Sequence, residues 1–201
     1  MKVDGKVGRI SVGLGTENPL RLDPQGGLMV KGYGGEYTEA ALAGRLFSVA
    51  NQAAVATTAN VATAWTGLGV GNPAGSGKNL IIHEFGYSVI VVPPAETAIG
   101  LMSGPIGDMA QALTAKAAMN GAGTSIAHCD DGATVGTPVL ERIFATQAQP
   151  AATTVQISVN PIIYKLHGSL IIPPGRAALS YTYALSAACA SFYFLWEEVD
   201  E

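Results

Sequence analysis

The loop Gly71-Asn72-Pro73-Ala74-Gly75-Ser76-Gly77-Lys78-Asn79 is the first place to look for chemistry, because glycines running into a lysine are the outline of a phosphate-binding loop. The outline does not close. The pattern needs glycine five residues before Gly77, where Asn72 stands, and a hydroxyl after Lys78, where Asn79 stands. The next segment is apolar and β-branched, whereas a phosphate loop opens a helix. The run His128-Cys129-Asp130-Asp131 groups four metal-ligating types. On an extended chain neighbours point to alternate sides, so at most two of the four reach one ion. Asp130 and Asp131 are oxygen ligands of the kind calcium takes, but the rest of a set is missing. His83-Glu84 lies inside a strand pattern, which sends the two side chains to opposite faces. It also lacks the pair of histidines one residue apart that a jelly-roll metalloenzyme would show. No GxSxG elbow and no close acidic pair accompany the serines. The sequence therefore predicts no catalytic residue, no metal and no cofactor, and reads as a non-enzyme.

These residues are set among short strands. Arg45–Ala50, Ala53–Ala64 (β-branched at Val55, Thr57, Thr58, Val61 and Thr63), Trp65–Val70 and Asn79–Val92 read as extended. Gly86 marks a bulge or bend in the last of these. Thr97–Ser103 is expected to be its partner strand. Ser125–His128, Val139–Ala145, Thr153–Val159, Ile162–Leu166 and Leu170–Ile172 follow, with turns at Asp130-Asp131-Gly132 and Gln149-Pro150. Gly107–Asn120 is the one substantial helix predicted, with Asp108 as N-cap and Gly121 beyond its end. Thr38–Ala43 offers a single helical turn. The spacing is that of an all-β sandwich or barrel.

The last quarter carries the strongest pattern. Ser180–Leu185 is one strand, Leu185–Ala190 is a small-residue turn or bulge, and Ser191–Val199 is a second strand. Phe192, Phe194 and Trp196 share one face of it, and Tyr193 and Leu195 share the other. Both faces are apolar, so both need cover, one from a facing sheet and one from elsewhere in the chain or from another subunit. Tyr181, Tyr183, Phe192, Tyr193, Phe194 and Trp196 are the candidates for core and oligomer interface. Ala177–Trp196 holds no charge and has the length of a membrane span. Its tyrosines, serines and threonine, and the Pro173-Pro174-Gly175 turn before it, favour strands instead.

Residues 1–43 read as an extended arm, because glycines and prolines leave little apolar periodicity before the domain 44–201. Leu28, Met29, Val30, Tyr33 and Tyr37 are its docking candidates. Only 13% of residues are charged, about half the usual fraction. A surface so sparsely charged suits a subunit covered by neighbours. The net charge of −4 offers no field for nucleic acid. Two cysteines make no disulfide framework, which fits a reducing cytoplasm. The start, MKVDGKVGRISVG, lacks the apolar core of a secretory signal.

Three stretches, GRLFSVANQAAVATT (44–58), TGLGVGNPAGSGKNLIIHEFGY (66–87) and GSLIIPPGRAALSYTYAL (168–185), resemble small virion proteins of tailed phages. Together with the aromatic C-terminal end they cover about a third of the chain. The resemblance implies a virion location, a capsid-decoration, cement or head-fibre role, and major capsid or other virion proteins as partners. The architecture is also similar to the trimeric jelly rolls of the tumour-necrosis-factor and C1q kind, which end in an aromatic strand. The expectation is a jelly-roll-like sandwich with an N-terminal arm, a homotrimer assembled in the host cytoplasm, with no nucleic acid and no membrane as partner. The rival expectation is a receptor- or glycan-binding fibre or tail module.

Overall fold

A computed structural model describes residues 35–89, 97–119, 123–147, 162–184 and 186–201. The chain divides into two compact units, 1–38 and 39–201. In the first, the described residues form a turn closed by Thr38 N–H donating to Gly35 O at 3.1 Å. Leu28, Met29, Val30 and Tyr33 lie outside the described residues, as does the strand expected at 153–159.

Among the described residues the elements are one short helix, α1 (Thr38–Leu42), and eleven strands: β1 (Leu46–Ala50), β2 (Val55–Thr57), β3 (Ala64–Gly71), β4 (Lys78–Val89), β5 (Thr97–Pro105), β6 (Lys116–Ala117), β7 (His128–Thr134), β8 (Val139–Gln147), β9 (Ile162–Ile172), β10 (Arg176–Thr182) and β11 (Ser186–Asp200). Two antiparallel sheets pack as a sandwich. The first runs β6-β1-β11-β4-β9, with β2 also on β11; the second runs β7-β3-β10-β5-β8. Taking β1, β3, β4, β5, β8, β9, β10 and β11 as strands one to eight, the sheets read 1-8-3-6 and 2-7-4-5. That is the double Greek key of a jelly roll.

The inner faces meet in one core. Phe47, Val49, Leu80, Ile82, Phe85, Phe192, Phe194 and Trp196 come from the first sheet, and Leu68, Val70, Ile99, Leu101, Ala178 and Cys129 from the second. Phe85 stands at its centre, with ring centroids 5.1 Å from Phe194, 5.6 Å from Phe144 and 6.0 Å from Phe192. A smaller core covers the outer face of the second sheet, where Trp65, Met102, Leu179 and Tyr181 meet Met109 and Val135. The glycines of β3 make room for it. A Cβ on Gly69 would lie 2.7 Å from Leu179, 2.9 Å from Met109 and 3.0 Å from the Trp65 ring. The indole thus lies along its own strand, and Trp65 Nε1 donates to Ser180 O at 2.9 Å.

Several expectations are corrected. Gly107–Asn120 is not a helix: its described residues run as an irregular strap carrying only the two residues of β6. Its backbone groups are taken by β7 instead. Leu113 N–H donates to Cys129 O at 2.8 Å, Asp108 N–H to Thr134 O at 3.1 Å, and Ala110 N–H to the Asp130 carboxylate at 2.9 Å. A helix would forfeit these partners. Thr97–Ser103 does not pair with Asn79–Val92, because β5 lies between β10 and β8 in the other sheet. Of Ala53–Ala64 only Val55–Thr57 is a strand, with Ala64 opening β3. Residues 125–127 precede the strand rather than form it, and Asp130-Asp131-Gly132 lies within β7 instead of turning. The C-terminal strands are not a hairpin: β10 belongs to the second sheet and β11 to the first, so the chain crosses the sandwich between them. Of the charge-free run 177–196, residues 177–182 lie in β10 and 186–196 in β11. No helix among the described residues is long and apolar enough to cross a membrane.

Candidate functional site

The bulge in β4 falls at His83, not at Gly86. Cα partners step from Ile82 to Glu84 against both neighbouring strands, whereas Gly86 pairs regularly with Tyr193 and Ile163. On β9, four residues (166–169) stand opposite this one, and His167 and Gly168 both take positive φ. The extra residue returns Phe85 to the core after Ile82. It also puts His83 and Glu84 on the same outer face, contrary to strict alternation. His83 Nε2 lies 3.4 Å from Glu197, which pairs with Arg45 at 3.0 Å, and Glu84 lies 3.5 Å from the Tyr193 hydroxyl.

The phosphate-loop lookalike is a structural clamp. Asn72 is fully buried. Its amide donates to Lys78 O at 2.7 Å and Ile172 O at 2.9 Å, and its Oδ1 accepts Ser76 Oγ at 2.6 Å. Its own N–H donates to Arg176 O, and its carbonyl accepts Gly175 N–H, both at 2.8 Å. The residue that breaks the nucleotide pattern thus joins the β3–β4 loop to the β9–β10 turn. Asn51 works alike at the end of β1. It donates to Gly67 O at 3.0 Å and accepts Phe192 N–H at 2.9 Å, linking the two sheets. A third buried polar group is Glu198, which accepts Ser125 Oγ at 2.5 Å and Ile126 N–H at 3.0 Å, with Lys78 Nζ 3.9 Å away. Residue types alone do not mark these three, because burial of a lone polar residue depends on topology.

The run 128–131 is likewise spent on the fold. Cys129 is a free thiol in the core. Burial, then the charges of Glu198 and Asp130, push it up to about 12. Asp130 holds the N–H groups of Ala110 and Gly132, and His128 Nδ1 donates to Met109 O at 2.9 Å. Among the described residues no three His, Cys, Asp or Glu side chains gather as a metal site would require.

The aromatic candidates separate by depth. Phe192, Phe194 and Trp196 are buried in the main core, and Tyr181 is buried in the smaller one. Tyr183 is exposed, and Tyr37 is half-buried in the turn before α1. Tyr193 lies on the outer face of the first sheet. Burial, then the charge of Glu84 and the hydrogen bond to it, raise its phenol to about 12. Around it Ala50, Gly86, Ser88, Ile163 and Ser191 line a shallow depression of about 180 Å³. The strands β8 and β9 leave large apolar side chains exposed: Leu140 and Ile143 on the outer face of the second sheet, Ile163 and Ile171 on the outer face of the first, and Val139 near the start of β8. Tyr164 Oη, from β9, joins the two strands by donating to Phe144 O at 2.6 Å.

No protein-family model, no curated protein and no solved structure significantly matches the chain.

Proposed function

We propose that the chain is a non-enzymatic structural subunit of a tailed-phage virion, of the capsid-decoration, cement or head-fibre type. It docks on capsid or other virion proteins through residues 1–43 and associates with its own copies, as a trimer, through the β domain. The observation that carries the assembly part is the set of large apolar side chains that β8 and β9 leave exposed, on a chain with few charges to keep copies apart. The polar residues with catalytic potential are spent on holding loops to sheets, which supports a structural role. The phage setting is supported by the resemblance of residues 44–58, 66–87 and 168–185 to virion proteins. Removing residues 1–43 should abolish attachment to particles while leaving the oligomer intact. Arm-less protein that decorates particles as the full chain does would contradict the docking reading.

A second reading, a glycan- or receptor-binding module, is favoured by the depression beside Tyr193. An aromatic wall with Ser88 and Ser191 beside it is the chemistry that takes a sugar ring. A glycan array probed with the full chain and with Tyr193→Ala distinguishes the two: saturable binding lost in the variant favours this second reading.

A further inference from the structure

We infer that β8 is a two-fold contact between copies of this chain, formed by β8 of one copy lying antiparallel to β8 of another about an axis between Glu141 and Arg142. This goes beyond the virion reading and does not rest on it. Among the described residues β8 is an edge strand of the second sheet, and Val139, Leu140, Glu141, Arg142 and Ile143 are all exposed. An edge with three large apolar side chains is one that proteins normally hide. Arg142 has no ion-pair partner among the described residues, and Glu141 bonds only Ser103 Oγ, at 2.5 Å through one oxygen.

The fit comes from a bulge. In a regular antiparallel pair, opposed residues share a face, so a two-fold axis between adjacent residues would oppose side chains of opposite faces. In β8 the register steps from Leu101↔Arg142 to Met102↔Leu140, leaving Glu141 as the extra residue. Leu140 and Ile143 therefore share the face of Met102 and Gly100, while Arg142 shares the face of Leu101 and Glu141 reaches Ser103 on that side. Two antiparallel copies then place Leu140 opposite Ile143 on one face and Glu141 opposite Arg142 on the other, each pair occurring twice. Cross-strand pairs of both kinds are favourable. A second register shift, between Ile99 and Gly100, limits the contact to this central segment. The same patch on both copies makes the interface isologous and closed.

The contact adds to a three-fold assembly rather than supplying one. With both, the species in solution has six chains; with β8 alone it has two. Light scattering of the full chain should give an even multiple of 20.6 kDa. Glu141→Arg alone and Arg142→Glu alone should each halve that mass, and the double exchange should restore it. Unchanged mass in the single variants, or a wild-type mass of one or three chains, overturns the inference; three chains would leave the trimer reading standing. Cross-linking gives a measure independent of charge. A mixture of Glu141→Cys and Arg142→Cys proteins should oxidise to a disulfide-linked dimer several-fold more than either alone, and equal yields would overturn the contact.

Discussion

Gly86 stands directly across the β4–β11 ladder from Tyr193, and a Cβ placed on the glycine would sit 3.2 Å from Cδ1 of the tyrosine ring. The ring thus covers a position where the strand has no side chain of its own. Trp65 covers Gly69 in the same way on the other sheet. In both places an aromatic supplies the packing that glycine lacks, and glycine supplies the space the aromatic needs.

Gly86→Val should therefore destabilise. The new side chain meets both Tyr193 and Ile163, whose Cγ1 is 3.4 Å from the Cβ position. Overpacking of this kind costs about 1–3 kcal/mol. Denaturant unfolding of the variant should show a lower midpoint, with Gly86→Ala falling between it and the wild type.

Asn72→Asp should destabilise more than Asn72→Ala at neutral pH. The alanine removes the donor to Lys78 O and Ile172 O; Lys78 O keeps Ser76 Oγ at 3.2 Å, whereas the buried Ile172 O loses its side-chain donor, a cost of about 1–3 kcal/mol. The aspartate additionally turns a buried carboxylate toward those two carbonyls. Acidification should narrow the gap as that carboxyl takes up a proton. Urea melts of both variants at two pH values check the order.

Phe85→Ala removes the ring at the centre of the aromatic cluster. Its neighbours Phe144, on β8, and Phe192 and Phe194, on β11, are held by two other strands and cannot all collapse into the space. A loss of about 3–5 kcal/mol is expected. It should appear as a large drop in unfolding midpoint, with the far-ultraviolet spectrum at low temperature unchanged.

Cys129 makes stability fall in alkali. Its folded-state pKa, about 12, is above the ordinary 9.0, so the unfolded chain loses this proton first. The contribution is complete below pH 9.0 and is lost as pH rises toward 12. The same burial protects the sulfur, because the thiolate is the reactive form. In a Cys189→Ser background, a thiol reagent at pH 8 should modify Cys129 only at the rate of unfolding. Fast modification of the folded protein would contradict its placement.

The all-β class, most strand positions and the shared face of Phe192, Phe194 and Trp196 were legible in the sequence, because alternation and β-branched composition are local signals; which face turns inward was not. Sheet membership was not. Nothing local tells that β5 joins β10 and β8 rather than β4, or that the chain crosses the sandwich between Thr182 and Ser186. The alanine-rich segment after Gly107 has helix propensity, and it loses to carbonyls and a carboxylate that β7 brings from twenty residues away. The candidate site divides in the same way. The failure of the phosphate-loop pattern at Asn72 was visible, but that Asn72 is a buried clamp depends on the β9–β10 turn, a hundred residues distant. The exposed run of β8 was hidden because Val139–Ala145 reads like any core strand until its place at an edge is known.

The most direct test of an assembling structural subunit is the mass of the full chain in solution, followed by light scattering across a dilution series. Association through the β domain predicts a discrete multiple of 20.6 kDa that persists on dilution. A single mass of 20.6 kDa at every concentration would contradict it.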